Sequence, residues 1–66
     1  MKVIVNGEPR ELPDGASVAE VVASVTAAAT GVAAALNDEV VRRAEWAATP
    51  LRDADRVEVL TAVQGG

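Results

Sequence analysis

Apolar and polar positions alternate from the start of the chain: Val3 and Val5 fall on one side of an extended segment, Lys2 and Ile4 on the other. Asn6-Gly7 follows, a dipeptide that tolerates positive φ at both centres of a type I′ turn, so a hairpin is predicted with its return strand over about Glu8 to Leu12. Pro9 has no amide proton to offer a neighbour, which places that return strand at a sheet edge. Met1, Val3 and Val5 are then expected to face inward. Pro13-Asp14-Gly15 forms a turn cluster, and Ser17 with Glu20 has capping-box spacing ahead of a new periodicity. Val18, Val21, Val22 and Val25 recur at i, i+3, i+4 and i+7, one stripe of a helix that begins at about Val18. Gly31 suits a left-handed residue after a helix, so the helix is expected to stop near Ala29 or Thr30.

Alanine favours helix over strand, yet three features make Val32 to Leu36 a strand. Gly31 precedes it, Asn37-Asp38 supplies a turn after it, and Glu39-Val40-Val41 is a natural partner. Arg42 to Thr49 connects onward and carries the single aromatic, Trp46, expected as a partly buried plug over the core; Pro50 then blocks a helix. Asp53-Ala54-Asp55 reads as a turn rather than a cation site, because no further oxygen ligands follow at calcium-loop spacing. In the last strand Val57, Val59, Thr61 and Val63 alternate with Glu58, Leu60, Ala62 and Gln64. A parallel crossover needs a dozen or more residues and a helix, and the one helix supplies it, so the last strand is expected beside the first with both internal. The predicted class is α+β: a ubiquitin-like β-grasp, a mixed sheet with one main helix on one face. Residues 1–63 form the domain and 64–66 a flexible diglycine tail.

Composition narrows the chemistry. The 66 residues include no Cys and no His, and the absence of Tyr removes another common acid or base, so catalysis by this chain alone and a metal site are not expected. A chain of this size buries roughly 60% of its extended surface, which leaves no room for a deep cleft. The formal charge of −4 has the wrong sign for binding nucleic acid. Val18 to Leu36 nears membrane-spanning length, but Glu20 within it argues against insertion, and the apolar start is too short for a signal peptide. A cytoplasmic location is the resulting expectation. Ser17 is read as a cap rather than a nucleophile, since no base lies near it in sequence.

The remaining reactive group is the end of the chain, Gln64-Gly65-Gly66. A carboxylate behind two glycines can thread a narrow channel in backbone conformations closed to other residues. From Val63 to Gly66 an extended tail reaches about 13 Å, enough to enter a partner's active site while the domain docks outside. An α-carboxyl with a pKa of about 3.3 to 3.7 is ionised at neutral pH and resists nucleophiles until activated. Activation calls for ATP, and without a glycine-rich phosphate loop the nucleotide must sit on another protein. A cloning scar or a frayed end is the plainer alternative for the two glycines.

The chain resembles the small sulfur carrier proteins of thiamine biosynthesis. The resemblance runs from Met1 to Gly66 through Val3-Ile4-Val5-Asn6-Gly7, Thr30-Gly31-Val32-Ala33, Ala35-Leu36-Asn37-Asp38-Glu39-Val40-Val41, Arg43 and Trp46 to Ala62-Val63-Gln64-Gly65-Gly66. It implies a ubiquitin-like fold and a carrier role in which the Gly66 carboxylate is adenylated by an E1-like adenylyltransferase using ATP and magnesium. Conversion to a thiocarboxylate with sulfur from a donor protein follows, and thiazole synthase accepts the sulfur. No cofactor is expected on the chain itself. Two departures concern loops: Arg42 stands where family members often carry Pro, and Ala54 where the turn often has Gly.

Strand alternation also suggests a docking face. With Met1, Val3, Val5, Val57 and Val59 toward the helix, Ile4, Leu60 and Ala62 lie on the open face and are expected to form one apolar patch for both the activating enzyme and the synthase. Three other readings remain open on the sequence: the small subunit of molybdopterin synthase, which also ends in diglycine; a non-covalent β-grasp binding module; and covalent attachment to protein amines.

Overall fold

The computed structural model describes residues 1–28 and 30–61. Strands β1 (Lys2–Val5) and β2 (Glu8–Glu11), helix α1 (Val18–Val25), strands β3 (Val32–Leu36) and β4 (Glu39–Val41), a 3-10 turn at Arg43–Glu45 and strand β5 (Arg56–Thr61) follow in that order. They make one sheet, β2-β1-β5-β3-β4. The two hairpins are antiparallel, β1 and β5 run parallel at the centre, and α1 provides the crossover on one face. This is the expected α+β β-grasp arrangement, with the Pro9 strand at an edge.

Turn chemistry explains both hairpins. Asn6 and Gly7 have φ of 49° and 84°, and Asn37 and Asp38 have 49° and 73°, positive at both centres as type I′ turns require. The second turn is what makes a strand of the alanine-rich Val32–Leu36: once Glu39–Val41 folds back, Ala34 and Ala35 lie opposite Val41 and Val40. On its other side β3 pairs with β5 from Val32↔Thr61 to Leu36↔Val57. The core is built of small aliphatic side chains, with Val3, Val5, Val18, Val21 and Val57 essentially inaccessible and Ala34, Leu51, Val59 and Trp46 closing around them. Trp46 plugs the core as expected, and its indole Nε1–H donates to the Val41 carbonyl at 2.8 Å.

Two local expectations fail at the helix. Ser17 occupies the N-cap position in an extended conformation, but its side chain makes no capping hydrogen bond. The connecting segment supplies the acceptors instead: Val18 N–H donates to the Thr49 carbonyl at 3.0 Å and Ala19 N–H to the Trp46 carbonyl at 3.1 Å. Two first-turn donors are thus satisfied by tertiary contacts and Glu20 N–H by the Ser17 carbonyl at 3.1 Å, which leaves the serine hydroxyl without a capping role. At the other end the helix stops at Val25, short of the predicted Ala29 or Thr30. Thr26 is extended, and its hydroxyl accepts the Ala28 N–H at 3.0 Å, while Ser24 Oγ donates to the Val21 carbonyl at 2.7 Å. Hydroxyls that bond nearby backbone compete with helix propagation, and the alanines beyond Val25 carry too little apolar surface to reward another turn.

Candidate functional site

The sequence places its reactive group at the Gly66 carboxylate. Gly66, Gly65 and Gln64, and the docking candidate Ala62, lie outside the described residues. What the structure defines is the strand that precedes them: β5 is central, flanked by β1 and β3, and Thr61, its last described residue, lies opposite Val32.

On the sheet face away from α1, Leu60 is 69% exposed and Val40 79% exposed, the two large apolar side chains most open to solvent among the described residues. Register brings them together. Leu60 lies opposite Ala33, Glu58 opposite Ala35, and Ala35 opposite Val40. Small alanines between two larger side chains leave a groove of about 310 Å³, lined by Asn6, Ala33, Ala34, Ala35, Val40, Glu58 and Leu60. The sequence reading missed Val40, Ala33 and Ala35. The alternation of β3 and β4 about the Asn37-Asp38 turn carried that information, because Ala34 and Val41 face inward and their neighbours must face out.

Ile4 is not part of this groove. The parallel register sets it opposite Arg56 on one side and Pro9 on the other, so that Arg56 to Leu60 along β5 separates the two levels by roughly 13 Å. Asn6 and Glu58 fill the interval. Ile4 is half-buried among its neighbours, unlike Leu60.

Two asparagines brace β5. At its start, Arg56 N–H donates to Asn37 Oδ1 at 2.9 Å, Asn37 N–H donates to the Arg56 carbonyl at 2.8 Å, and Asn37 Nδ2 donates to Asp55 Oδ1 at 3.1 Å. Toward its end, Val59 N–H donates to Asn6 Oδ1 at 2.8 Å and Asn6 Nδ2 donates to the Val59 carbonyl at 3.3 Å. Arg56 also forms a two-pronged pair with Asp38, at 2.9 and 3.3 Å, and this hydrogen-bonded guanidinium holds the Asp38 carboxyl below its ordinary range. The pair is solvent-exposed and lies at the end of β5 opposite Thr61, so it serves the turn.

The aspartates of the 53–55 turn are engaged by backbone donors. Lys2 N–H donates to Asp53 Oδ1 and Arg52 N–H to Asp55 Oδ2, both at 2.7 Å, as a turn reading requires. Among the described residues no group of three or more carboxylates is placed to hold a metal ion. Nor is any helix among them long and apolar enough to cross a membrane.

Comparison with known proteins follows the same geometry. The model of the ThiS family matches residues 3–66. A curated relative, the sulfur carrier protein ThiS of Thermus thermophilus, is 44% identical over 64 residues, which cover 97% of this chain and 98% of the relative. The crystal structure of the thiamine biosynthesis protein (ThiS) from Geobacter metallireducens matches with a TM-score of 0.80 at 35% identity, with both chains covered in full. The solution structure of the Geobacter protein gives 0.76 at 35% identity and is covered over 88% of its length.

Proposed function

The chain belongs to the ThiS family, the sulfur carriers of thiamine biosynthesis, and we propose that its part is played by the Gly66 carboxylate acting as a sulfur-bearing co-substrate. In the proposed cycle an E1-like adenylyltransferase binds ATP and magnesium and admits residues 64–66 to its active site. A Gly66 carboxylate oxygen attacks the α-phosphorus of ATP, pyrophosphate leaves, and an acyl-adenylate forms. A sulfide equivalent from a sulfur donor protein then adds to the acyl carbon and displaces AMP, leaving a thiocarboxylate. Thiazole synthase takes the sulfur, and the carboxylate returns on hydrolysis. The chain contributes no catalytic side chain to these steps; it delivers one carbonyl carbon to enzymes in the cytoplasm.

The observation that carries this reading is the match over residues 3–66, which includes the diglycine. The thiamine pathway is favoured over the molybdopterin alternative because the solved relatives are named as thiamine biosynthesis proteins. The groove formed by Leu60, Val40 and the β3 alanines is the proposed docking surface, because it lies on the same strand that leads into the tail. Burying the exposed part of Leu60 contributes about 1.5 kcal/mol or more, enough for a complex that must also dissociate.

Deletion of Gly66 tests the carboxylate role against a non-covalent binding module. The expected outcome is loss of ATP-dependent modification by the adenylyltransferase with an unchanged melting temperature. Retained modification of the shortened chain would contradict the assignment.

A further inference from the structure

Strand β5 reaches past its neighbour. β1 ends at Val5, and its backbone donates from Ile4 to the Asp55 carbonyl at 2.9 Å and from Asn6 to the Val57 carbonyl at 3.0 Å. The next rung in a parallel ladder belongs to Val59, but at Asn6-Gly7 the chain has already turned back toward β2. The Asn6 side chain fills that rung with both of its groups. Its carbonyl oxygen accepts from Val59 N–H and its amide nitrogen donates to the Val59 carbonyl. Because Val59 presents one donor and one acceptor, the orientation of the amide is fixed by what it faces.

From these contacts we infer that Asn6 is a positioning residue for the carboxylate: its side chain holds β5 in the sheet through Val59 and so fixes the direction from which residues 62–66 leave it. Asn6 also lines the docking groove beside Leu60, so one side chain ties the level of the docking surface to the root of the tail. On the other flank β3 continues to pair through Val32↔Thr61. Without the Asn6 amide, β5 loses its β1-side partner two residues earlier, and the stretch held from the β3 side alone begins at Glu58 instead of Leu60. Asn37 does the equivalent at the entry of β5, far from the tail, and makes the comparison residue.

The inference rests on the carrier reading. A carboxylate that must meet ATP in line is sensitive to placement: errors near 1 Å cost up to about a hundredfold in rate. Asn6→Gly isolates the side chain, since glycine accepts the φ of 49° and Gly-Gly still suits a type I′ turn. Asn6→Asp is a second variant that tolerates the same backbone and keeps the acceptor for Val59 N–H, while its other oxygen faces the Val59 carbonyl.

The test is pyrophosphate release by the family's adenylyltransferase with saturating ATP and each full-length carrier, beside amide exchange at Val59, all well below the melting temperature. For Asn6→Gly we expect Val59 protection to fall about tenfold and kcat, read at saturating carrier so that any change in docking drops out, to fall about tenfold, with Asn6→Asp falling in the same sense. A residue of purely structural value would lower the melting temperature and leave kcat of the folded chain where it was. Unchanged kcat in a variant that has lost Val59 protection overturns the positioning role while the carrier reading stands. A wild-type chain that the adenylyltransferase leaves unmodified overturns both. If Asn6→Gly fails to fold, Asn6→Asp is read by the same criteria.

Discussion

Ala54 shows how one residue carries a cost for its place. Its φ of 72° lies in the left-handed region, which a Cβ makes unfavourable by about 1–2 kcal/mol. The surroundings hold it there: Ala54 N–H donates to the Lys2 carbonyl at 2.7 Å, and the flanking aspartates secure the turn from either side. Ala54→Gly is therefore expected to stabilise the fold by about 0.5–1 kcal/mol, after the glycine's greater unfolded-state entropy is set against the relieved strain. Urea unfolding measures it, and a destabilised variant would show that the turn is not strained. Leu60 is the opposite case, exposed where exposure is not needed for folding. Leu60→Glu is expected to raise KM for the adenylyltransferase about tenfold or more without moving the melting temperature. Unaltered adenylation kinetics would remove the groove from the docking surface. Ile4, set apart beside Arg56, is expected to matter less.

At the level of elements, the helix shows where local signals give way. Ser17 and Glu20 have capping spacing, but the carbonyls of Thr49 and Trp46 meet the helix first turn instead. Ser17→Ala is accordingly expected to cost under about 0.5 kcal/mol, against ~1 for a working cap. A larger loss in thermal or urea unfolding would mean that the hydroxyl caps in solution. Much else was legible because its cause is local: Asn6-Gly7 and Asn37-Asp38 dictate type I′ hairpins, and the second overrides the helix preference of three alanines. The separation of Ile4 from Leu60 was not legible for a physical reason. Alternation tells which face a side chain takes, but its height on the sheet depends on the register between β1 and β5, strands 51 residues apart in sequence from Val5 to Arg56. The capping carbonyls were hidden likewise, since they come from a segment with no periodicity of its own.

The whole molecule is a small valine core that spends its sheet on holding one strand. β5 has neighbours on both sides, an asparagine brace toward each end, and a groove beside its last residues. In the proposed cycle everything upstream of residue 62 serves to dock and aim, and the chemistry is confined to Gly66. The most direct measurement is intact mass of the full-length chain after incubation with ATP, the sulfur donor and the adenylyltransferase, followed by fragmentation to locate any change. The account predicts exchange of one oxygen for sulfur, confined to Gly66. An unmodified chain alongside an enzyme that activates another ThiS-family carrier, or sulfur located anywhere else, would contradict it.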